Sequence, residues 1–269
     1  MSRLFYQCFN KLKLLASGLG LAVATFLASK GWKISVADMN VKAGEATAST
    51  LEGTFHKTNV TDYTSLSTTF ENTFQEFGQI DFVFANAGIV ERDSFYAKFP
   101  NTGPPPPPNM LSVDIDLKSV IATGYLAQHY FRQNPHENGG SLISTSSVGG
   151  IYPAPFCPMY SAAKHGVLGF TRSIAKHFYL HDKIRANAIL PGTMRTSLLT
   201  EKEWGSFGDT NWTPIEKVVE VVEMLLDERE NYWGKTVEIS GMNHYFREQA
   251  EYCDDDMRRV MEATDIEQV

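Results

Sequence analysis

A serine, a tyrosine and a lysine in the middle of the chain have types and spacing that suit acid–base chemistry. Ser147 stands thirteen residues before Tyr160, and Lys164 follows four residues after it. Positions i and i+4 of a helix share a face, so the Lys164 ammonium would lie beside the phenol and favour its ionised form. Lowering a tyrosine pKa from about 10 to about 7 requires roughly 4 kcal/mol, which a cation in a partly desolvated site can supply. Such a phenol exchanges a proton with an alcohol or a carbonyl near neutral pH, and a serine hydroxyl can hold the same oxygen.

The spacing Tyr-x-x-x-Lys occurs a second time, at Tyr179 and Lys183. This second pair has Gly166 thirteen residues upstream instead of a serine, and it falls at the end of a predicted helix. We therefore interpret it as an ordinary surface pair and expect the chemistry at Tyr160.

The elements that must position these residues alternate between short apolar strands and helices. A buried strand at Lys33–Ala37 is followed by a helical pattern from Val41, and the alternation continues to a last strand at Lys235–Ser240. This pattern is typical of βαβ units. It predicts the α/β class, with one doubly wound, Rossmann-type parallel sheet and helices on both faces, in a single domain of residues 1–269.

Three segments need separate interpretation. The five prolines Pro104–Pro108 exclude helix interior and central strand, and we interpret them as a stiff spacer, with a proline-rich docking site as the alternative. Residues 109–133 have the pattern of a long helix. The polar residues 243–269 predict a C-terminal extension with a helix near Arg247–Glu262.

Composition excludes several classes of function. The net charge of −7 and the lack of a long basic run argue against a nucleic-acid partner. Cys8, Cys157 and Cys253 lie too far apart for a disulfide framework or a metal site, so we expect reduced cysteines in a cytoplasmic protein without a metal.

The uncharged stretch Leu14–Ser29 follows basic residues, a pattern that is also typical of a secretory signal or a membrane anchor. It is shorter than the about 20 apolar residues that span a bilayer, and it contains Gly18 and Gly20. The alternative is the phosphate-binding turn and first buried helix of a nucleotide-binding enzyme. We favour that alternative and expect no membrane partner.

Several motifs in order give this chain its resemblance to a known family. The chain resembles the short-chain dehydrogenase/reductase family over about residues 15–240. The resemblance is carried by the Ser-Tyr-Lys set, by Asn86-Ala87-Gly88 after the fourth strand and by Pro191-Gly192-Thr193 after the sixth. The stretches SVDIDLKSVIATGYLAQHYF and YSAAKHGVLGFTRSIA are most similar to its NAD-dependent branch that includes 15-hydroxyprostaglandin dehydrogenase.

The resemblance implies a role for each matching residue. Tyr160 would be the acid/base, Lys164 would tune it and hold the nicotinamide ribose, and Ser147 would position the substrate oxygen. Asp38, twenty residues after Gly18, would bond the adenosine ribose and favour NAD over NADP. The remaining predicted dinucleotide contacts are Ser17, Gly18, Leu19, Gly20, Val60, Asn86, Gly88, Pro191 and Thr193.

The chain departs from the family pattern in two places. Lys13 and Leu14 stand where the family has Thr-Gly, and the expected first strand at Phe9–Leu12 is less strand-like than Leu4–Phe9. Either the turn is longer than usual or these first residues come from an incorrectly predicted exon. Asp116 stands where the family places an asparagine, so it would pair with Lys164 or support the helix.

The leading hypothesis is therefore an NAD-dependent oxidoreductase that interconverts a secondary alcohol and a ketone. A catalytically weakened or silent binding protein on the same fold and an NADPH-dependent reductase are the alternatives. The apolar residues of Met194–Trp212 favour an apolar substrate, although a packed lid or a subunit contact would show the same composition. The two long helices have faces rich in small and apolar residues around Ser119 and Gly169, and the family resemblance implies that such helices pair between subunits, in a homodimer or homotetramer.

Overall fold

The structure is a computed structural model that describes residues 3–7, 18–100, 102–136, 139–196, 198, 201–205, 207–208 and 212–264, with only the backbone of 3–7 and 201. Eight strands of this part form one sheet in the order β3-β2-β1-β4-β5-β6-β7-β8. The strands are β1 (Arg3–Gln7), β2 (Lys33–Asp38), β3 (Thr54–Lys57), β4 (Phe82–Ala85), β5 (Ser141–Thr145), β6 (Arg185–Pro191), β7 (Thr236–Ser240) and β8 (Asn243–Phe246). Strands β1 to β7 are parallel, and β8 pairs antiparallel with β7.

Helices connect these strands. The α-helices of the described residues are α1 (Leu19–Ser29), α2 (Val41–Thr50), α3 (Tyr63–Phe77), α4 (Leu111–Val113), α5 (Ser119–Phe131), α6 (Pro158–Asp182), α7 (Glu201–Gly205), α8 (Ile215–Leu226) and α9 (Asp255–Glu262). A turn of π-helix, Asp114–Lys118, joins α4 to α5, and a 3₁₀ turn, Val148–Gly150, follows β5. The strand order reverses between β1 and β4, which is where ligands bind in sheets of this kind.

The period-two alternation of β4 divides the core between the two faces of the sheet. Phe82 and Phe84 pack with α1 and α8 on one face, whereas Val83 and Ala85 pack with α3, α5 and α6 on the other. All four side chains are buried, as expected for a central parallel strand covered on both faces. The predicted doubly wound α/β fold is confirmed.

The first strand lies earlier than the family pattern places it. Backbone pairing of Arg3–Gln7 with β2 and β4 makes it a central strand, which overlaps the more strand-like stretch Leu4–Phe9; the family position Phe9–Leu12 lies outside the described residues. Asn10 and Lys11 are poor central-strand residues, which explains the preference for the apolar and aromatic residues before them. Positions 8–17, which include Lys13, Leu14 and the predicted contact Ser17, lie outside the described residues.

The C-terminal region also differs from expectation. The helix predicted near Arg247–Glu262 is wrong over 247–254, because α9 begins only after Asp254, whose side chain accepts the N–H of Met257. Residues Asn243–Phe246 instead form β8, which returns beside β7 through a tight turn at Gly241, where φ is +54°. The polar extension thus begins as an edge strand of the sheet. Pro104–Pro108 lie in neither helix nor strand, as predicted.

Candidate active site

Residues from four separate segments meet at the carboxyl ends of β4, β5 and β6. They line a cavity of about 240 Å³ that extends from the start of α1 to the segment after β6. Of the residues predicted from the sequence, the cavity lining includes Gly18, Leu19, Asn86, Gly88, Ser147, Tyr160, Lys164, Pro191 and Thr193. These residues are far apart in the chain, and they meet because parallel strands present all their carboxyl ends at one edge of the sheet.

Tyr160 and Lys164 lie side by side on α6, and both are buried, at 9 % and 3 % exposure. The Lys164 Nζ lies 5.5 Å from the centre of the Tyr160 ring and donates to the backbone carbonyl of Thr145 at 2.9 Å. Ser147 lies near the Tyr160 phenol and acts to lower its pKa, and the Ser147 Oγ accepts the Gly149 N–H at 3.1 Å. The structure therefore brings the predicted serine, tyrosine and lysine together.

Asp116 reaches the same group from the π-helical turn before α5. Its Oδ1 accepts the N–H of Ile89 at 2.8 Å, and its Oδ2 lies 3.5 Å from the Nζ of Lys164. The side chain is fully buried. Burial raises the pKa of Asp116 to about 6, against the opposing effects of Lys164 and the Ile89 N–H. Asp116 thus lies in a π-helical turn within the region predicted as one long helix, residues 109–133. Such turns are frequent at functional sites.

The protonation of Tyr160 differs from the sequence-based expectation. Its pKa is raised above that of a free tyrosine, first by burial and then by the negative charge of Asp116, while the nearby Ser147 opposes the shift. The expectation that Lys164 lowers this pKa was wrong for the protein alone. The physical reason is that burial disfavours the charged phenolate, and the carboxylate of Asp116 adds to this effect.

The local backbone fits a dinucleotide. Gly18, the N-cap of α1, has φ of +89°, a conformation that favours glycine. A Cβ at Gly88 would lie 3.3 Å from the Nζ of Lys164 and 3.6 Å from both Asp116 oxygens, so a larger residue there would require the Lys164 ammonium to shift by a few tenths of an ångström. The start of α1 also provides the positive end of a helix dipole, which suits a pyrophosphate.

Three predicted cofactor contacts lie outside the cavity lining. Asp38 ends β2, and its Oδ1 accepts the N–H of Asn40 at 2.7 Å. Gly20 is buried in α1, and Val60, 3 % exposed, packs in the core face that contains α3. Asp38 nevertheless lies at the carboxyl edge of the sheet, where an adenosine ribose binds in folds of this type.

Several wall residues were not predicted individually. Val90, Cys157, Trp204 and Phe207 line the cavity, and all but Phe207 are buried. Burial first, and then the charge of Glu91, raises the pKa of the Cys157 thiol to about 12. Cys157 stands one helical turn before Tyr160, a spacing that could have placed it on the cavity side.

The second Tyr-x-x-x-Lys pair lies at the carboxyl-terminal end of α6, away from the cavity. The Tyr179 ring stacks on Trp233 at 4.9 Å, and its hydroxyl accepts a hydrogen bond from Asn231. Lys183 is exposed and ends the helix with φ of +56°. Its neighbours are surface residues, in agreement with the interpretation as a surface pair.

Two broader expectations concern metals and membranes. Among the described residues, no group of three or more histidine, cysteine, aspartate or glutamate side chains could hold a metal ion. In the same part of the chain, no helix has both the length and the apolar character needed to cross a bilayer. The cytoplasmic location stays a prediction.

Comparison with known proteins agrees with this geometry. The profile of the family described as short chain dehydrogenase matches residues 15–206. A short-chain dehydrogenase/reductase of Penicillium rubens, prx7, is 44 % identical over 93 % of this chain and 97 % of its own length. The human 15-hydroxyprostaglandin dehydrogenase [NAD(+)] is 33 % identical over 70 % of this chain and 68 % of its own.

Solved structures show the same architecture. Levodione reductase superposes with a TM-score of 0.75 at 26 % identity, covering 89 % of this chain and 96 % of its own. A 3-ketoacyl-(acyl-carrier-protein) reductase from Brucella melitensis, complexed with NADH, has the same TM-score at 19 % identity over 89 % of this chain and 97 % of its own, and therefore supports the fold alone. The chain belongs to the short-chain dehydrogenase/reductase family and is an oxidoreductase that acts on CH–OH groups.

Proposed function

We propose that this protein interconverts a secondary alcohol and a ketone with NAD, and that Tyr160 transfers the proton. The observation that carries the proposal is the buried Tyr160 phenol, which lies beside Lys164 and lines the same cavity as Ser147. A phenol on a cavity wall can reach the oxygen of a bound substrate, whereas a surface tyrosine would exchange protons with bulk water.

The residues that would hold the dinucleotide form a continuous path. The phosphates would lie at Gly18 and the start of α1, and the nicotinamide end between Gly88 and Thr193. The Asp38 carboxylate would accept hydrogen bonds from the ribose hydroxyls and repel a 2′-phosphate, which favours NAD over NADP. When bound, the cofactor supplies the acceptor or the donor of the hydride.

The protein's own side chains move and hold the proton. In the oxidative direction, the Tyr160 Oη accepts the proton of the substrate hydroxyl, and in the reductive direction it donates a proton to the carbonyl oxygen. The Ser147 hydroxyl holds that same oxygen. The raised pKa keeps Tyr160 protonated at neutral pH, which suits donation of a proton to the carbonyl oxygen. A positive charge placed beside the Tyr160 ring would lower this pKa, which would suit acceptance of the proton of the alcohol.

The cavity wall restricts the chemistry of the substrate. Among the described lining residues, the single charged side chain is Lys164, which lies beneath Tyr160. Trp204, Phe207 and Val90 contribute apolar surface to the cavity wall. Burying an uncompensated charge against such a wall is costly. We therefore expect an uncharged, apolar or aromatic secondary alcohol or ketone.

A screen of uncharged secondary alcohols and ketones, followed by nicotinamide absorbance, tests the proposal. Tyr160→Phe should lower turnover at least about a thousandfold and leave the NAD Kd within a few fold, because only the proton-transferring hydroxyl is removed. Tyr179→Phe is the matched control, since it alters the second Tyr-x-x-x-Lys pair, and it should retain full turnover. Turnover of Tyr160→Phe within a few fold of wild type would refute the assignment.

A silent binding protein is the second candidate, favoured by the Asp116–Lys164 pair and the raised pKa of Tyr160. Thermal denaturation with NAD and NADP separates the two. At a hundred times its Kd, a ligand stabilises the folded state by about 2.7 kcal/mol. A shift with NAD together with turnover supports the enzyme. A shift without turnover of any substrate in the screen supports the silent protein.

The proposal includes a homodimer or homotetramer. On α5, Ile121 and Tyr125 are exposed at 42 % and 66 %, and Leu180 on α6 is exposed at 41 %. Apolar side chains on neighbouring helices suit contact with a second copy of the chain. Light scattering measures the mass directly, and Tyr125→Glu should shift the protein toward monomer. A wild-type monomer would contradict this part of the proposal.

A further inference from the structure

The first turn of α6 carries Tyr160 and leaves two backbone N–H groups to satisfy. Pro158 has no N–H, and the N–H of Ser161 donates to the Cys157 carbonyl at 3.0 Å. The N–H groups of Met159 and Tyr160 therefore remain, as they do at the start of any α-helix. The N-cap residue, Cys157, provides no side-chain hydrogen bond.

One carboxylate from a different segment satisfies both groups. The Glu91 Oε1 accepts the N–H of Met159 at 2.8 Å, and its Oε2 accepts the N–H of Tyr160 at 2.7 Å. These charge-assisted hydrogen bonds lie at the positive end of the helix dipole, where a negative charge is favourable. Glu91 thus replaces the missing N-cap side chain, although it precedes the two donors by 68 and 69 residues in the sequence.

Glu91 belongs to the loop that carries Gly88. In that loop, the N–H of Ile89 donates to Asp116, and two residues later Glu91 binds the backbone of Tyr160. Glu91 does not line the cavity. Glu91 can therefore act on the site only through the backbone that it binds, which is that of Met159 and Tyr160.

We propose that Glu91 is a positioning residue for proton transfer, because it fixes the first turn of α6 against the loop at Gly88. The inference rests on the proposed role of Tyr160. Terminal turns of helices fray, and Tyr160 is the third residue of α6. Without the carboxylate, the phenol occupies its productive position for a smaller fraction of the time, so kcat falls while NAD binding is retained.

Steady-state kinetics of Glu91→Gln test this role. Glutamine keeps one acceptor oxygen but turns an NH₂ donor toward the second N–H. We expect kcat to fall at least tenfold, with the KM for NAD within twofold of wild type. The matched control is Asp62→Ala, which removes the cap of α3, where Asp62 accepts the N–H groups of Thr64 and Ser65. It should lower Tm and leave kcat unchanged. A Glu91→Gln kcat within twofold of wild type, or an equal loss in Asp62→Ala, would overturn the proposal.

Hydrogen exchange on the full wild-type chain tests the contact without any need for activity. Relative to their intrinsic rates, the amides of Met159 and Tyr160 should exchange at least tenfold more slowly than those of Ile215 and Glu216. The latter begin α8, which has no side-chain cap. Equal rates in the two helices would overturn the proposal. Absence of turnover in wild type, with slow exchange at Met159 and Tyr160, would instead count against the proposed function alone.

Discussion

Replacing Asp116 by asparagine should stabilise the protein at neutral pH and retain or increase its turnover. In the folded state, burial raises the pKa of Asp116 from 3.8 to about 6. At about 1.36 kcal/mol for each pKa unit, a rise of this size corresponds to roughly 3 kcal/mol. This energy is the cost of keeping the carboxylate ionised in the folded protein, with the attraction of Lys164 already included.

The sign of the pH dependence follows from the raised pKa. Below about pH 3.8 the carboxyl is protonated in both the folded and the unfolded state, so it contributes no cost. The cost appears between pH 3.8 and 6 and is complete above pH 6. An asparagine at this position would be neutral throughout, so the variant should gain up to about 3 kcal/mol at pH 7, or about 6–12 °C in Tm, and almost nothing near pH 4.

Asp182→Asn provides a control of opposite sign. Hydrogen bonds from Arg132 and Gln128 outweigh the effect of burial and lower the pKa of Asp182. The carboxylate there stabilises the folded state above its unfolded pKa, so its removal should lower Tm at pH 7. Thermal denaturation from pH 4 to 8 of wild type and both variants measures the two effects.

The same substitution should affect catalysis through Tyr160. The charge of Asp116 raises the pKa of the phenol, so its removal should move the acidic limb of kcat/KM for alcohol oxidation to lower pH. A tenfold or greater loss of kcat in a folded Asp116→Asn variant would show that the carboxylate has a catalytic role of its own. A lower Tm than wild type at pH 7 would refute the burial argument.

Two further substitutions test the cofactor and substrate ends of the cavity. Asp38→Ser removes the carboxylate that would repel the 2′-phosphate of NADP. Like charges about 5 Å apart repel by about 3 kcal/mol at an effective dielectric of about 20. The ratio of kcat/KM for NAD over NADP should therefore fall about 100-fold. An unchanged ratio would remove Asp38 from the cofactor site. Trp204→Ala removes a buried side chain that contacts Phe207 and Trp212 and donates to the Thr196 carbonyl. It should raise the KM for apolar substrates and lower the free energy of unfolding by about 3–5 kcal/mol. A substrate KM within twofold of wild type would show that the ring is not part of the substrate wall.

The fold was predictable because its signals are local. The continuous apolar run of β4 identifies a central strand, since a parallel strand covered on both faces needs no polar side. The spacing of Tyr160 and Lys164 places both on one face of a helix by geometry alone. The edge strand β8 was missed, because a short polar segment forms a strand only when β7 offers it an unpaired edge.

The sequence by itself determined which residues reach the carboxyl edge of the sheet, since strand ends and helical spacing are set within a few residues. Only the tertiary structure decided their electrostatics. Burial raises the pKa of Tyr160, and Asp116, which precedes Lys164 by 48 residues and lies 3.5 Å from it, adds to that rise. Glu91, also distant in the chain, accepts the N–H of Tyr160 in the first turn of α6. Burial and charge at a site depend on residues that are distant in the chain, because the dielectric environment of a group is a property of the folded packing.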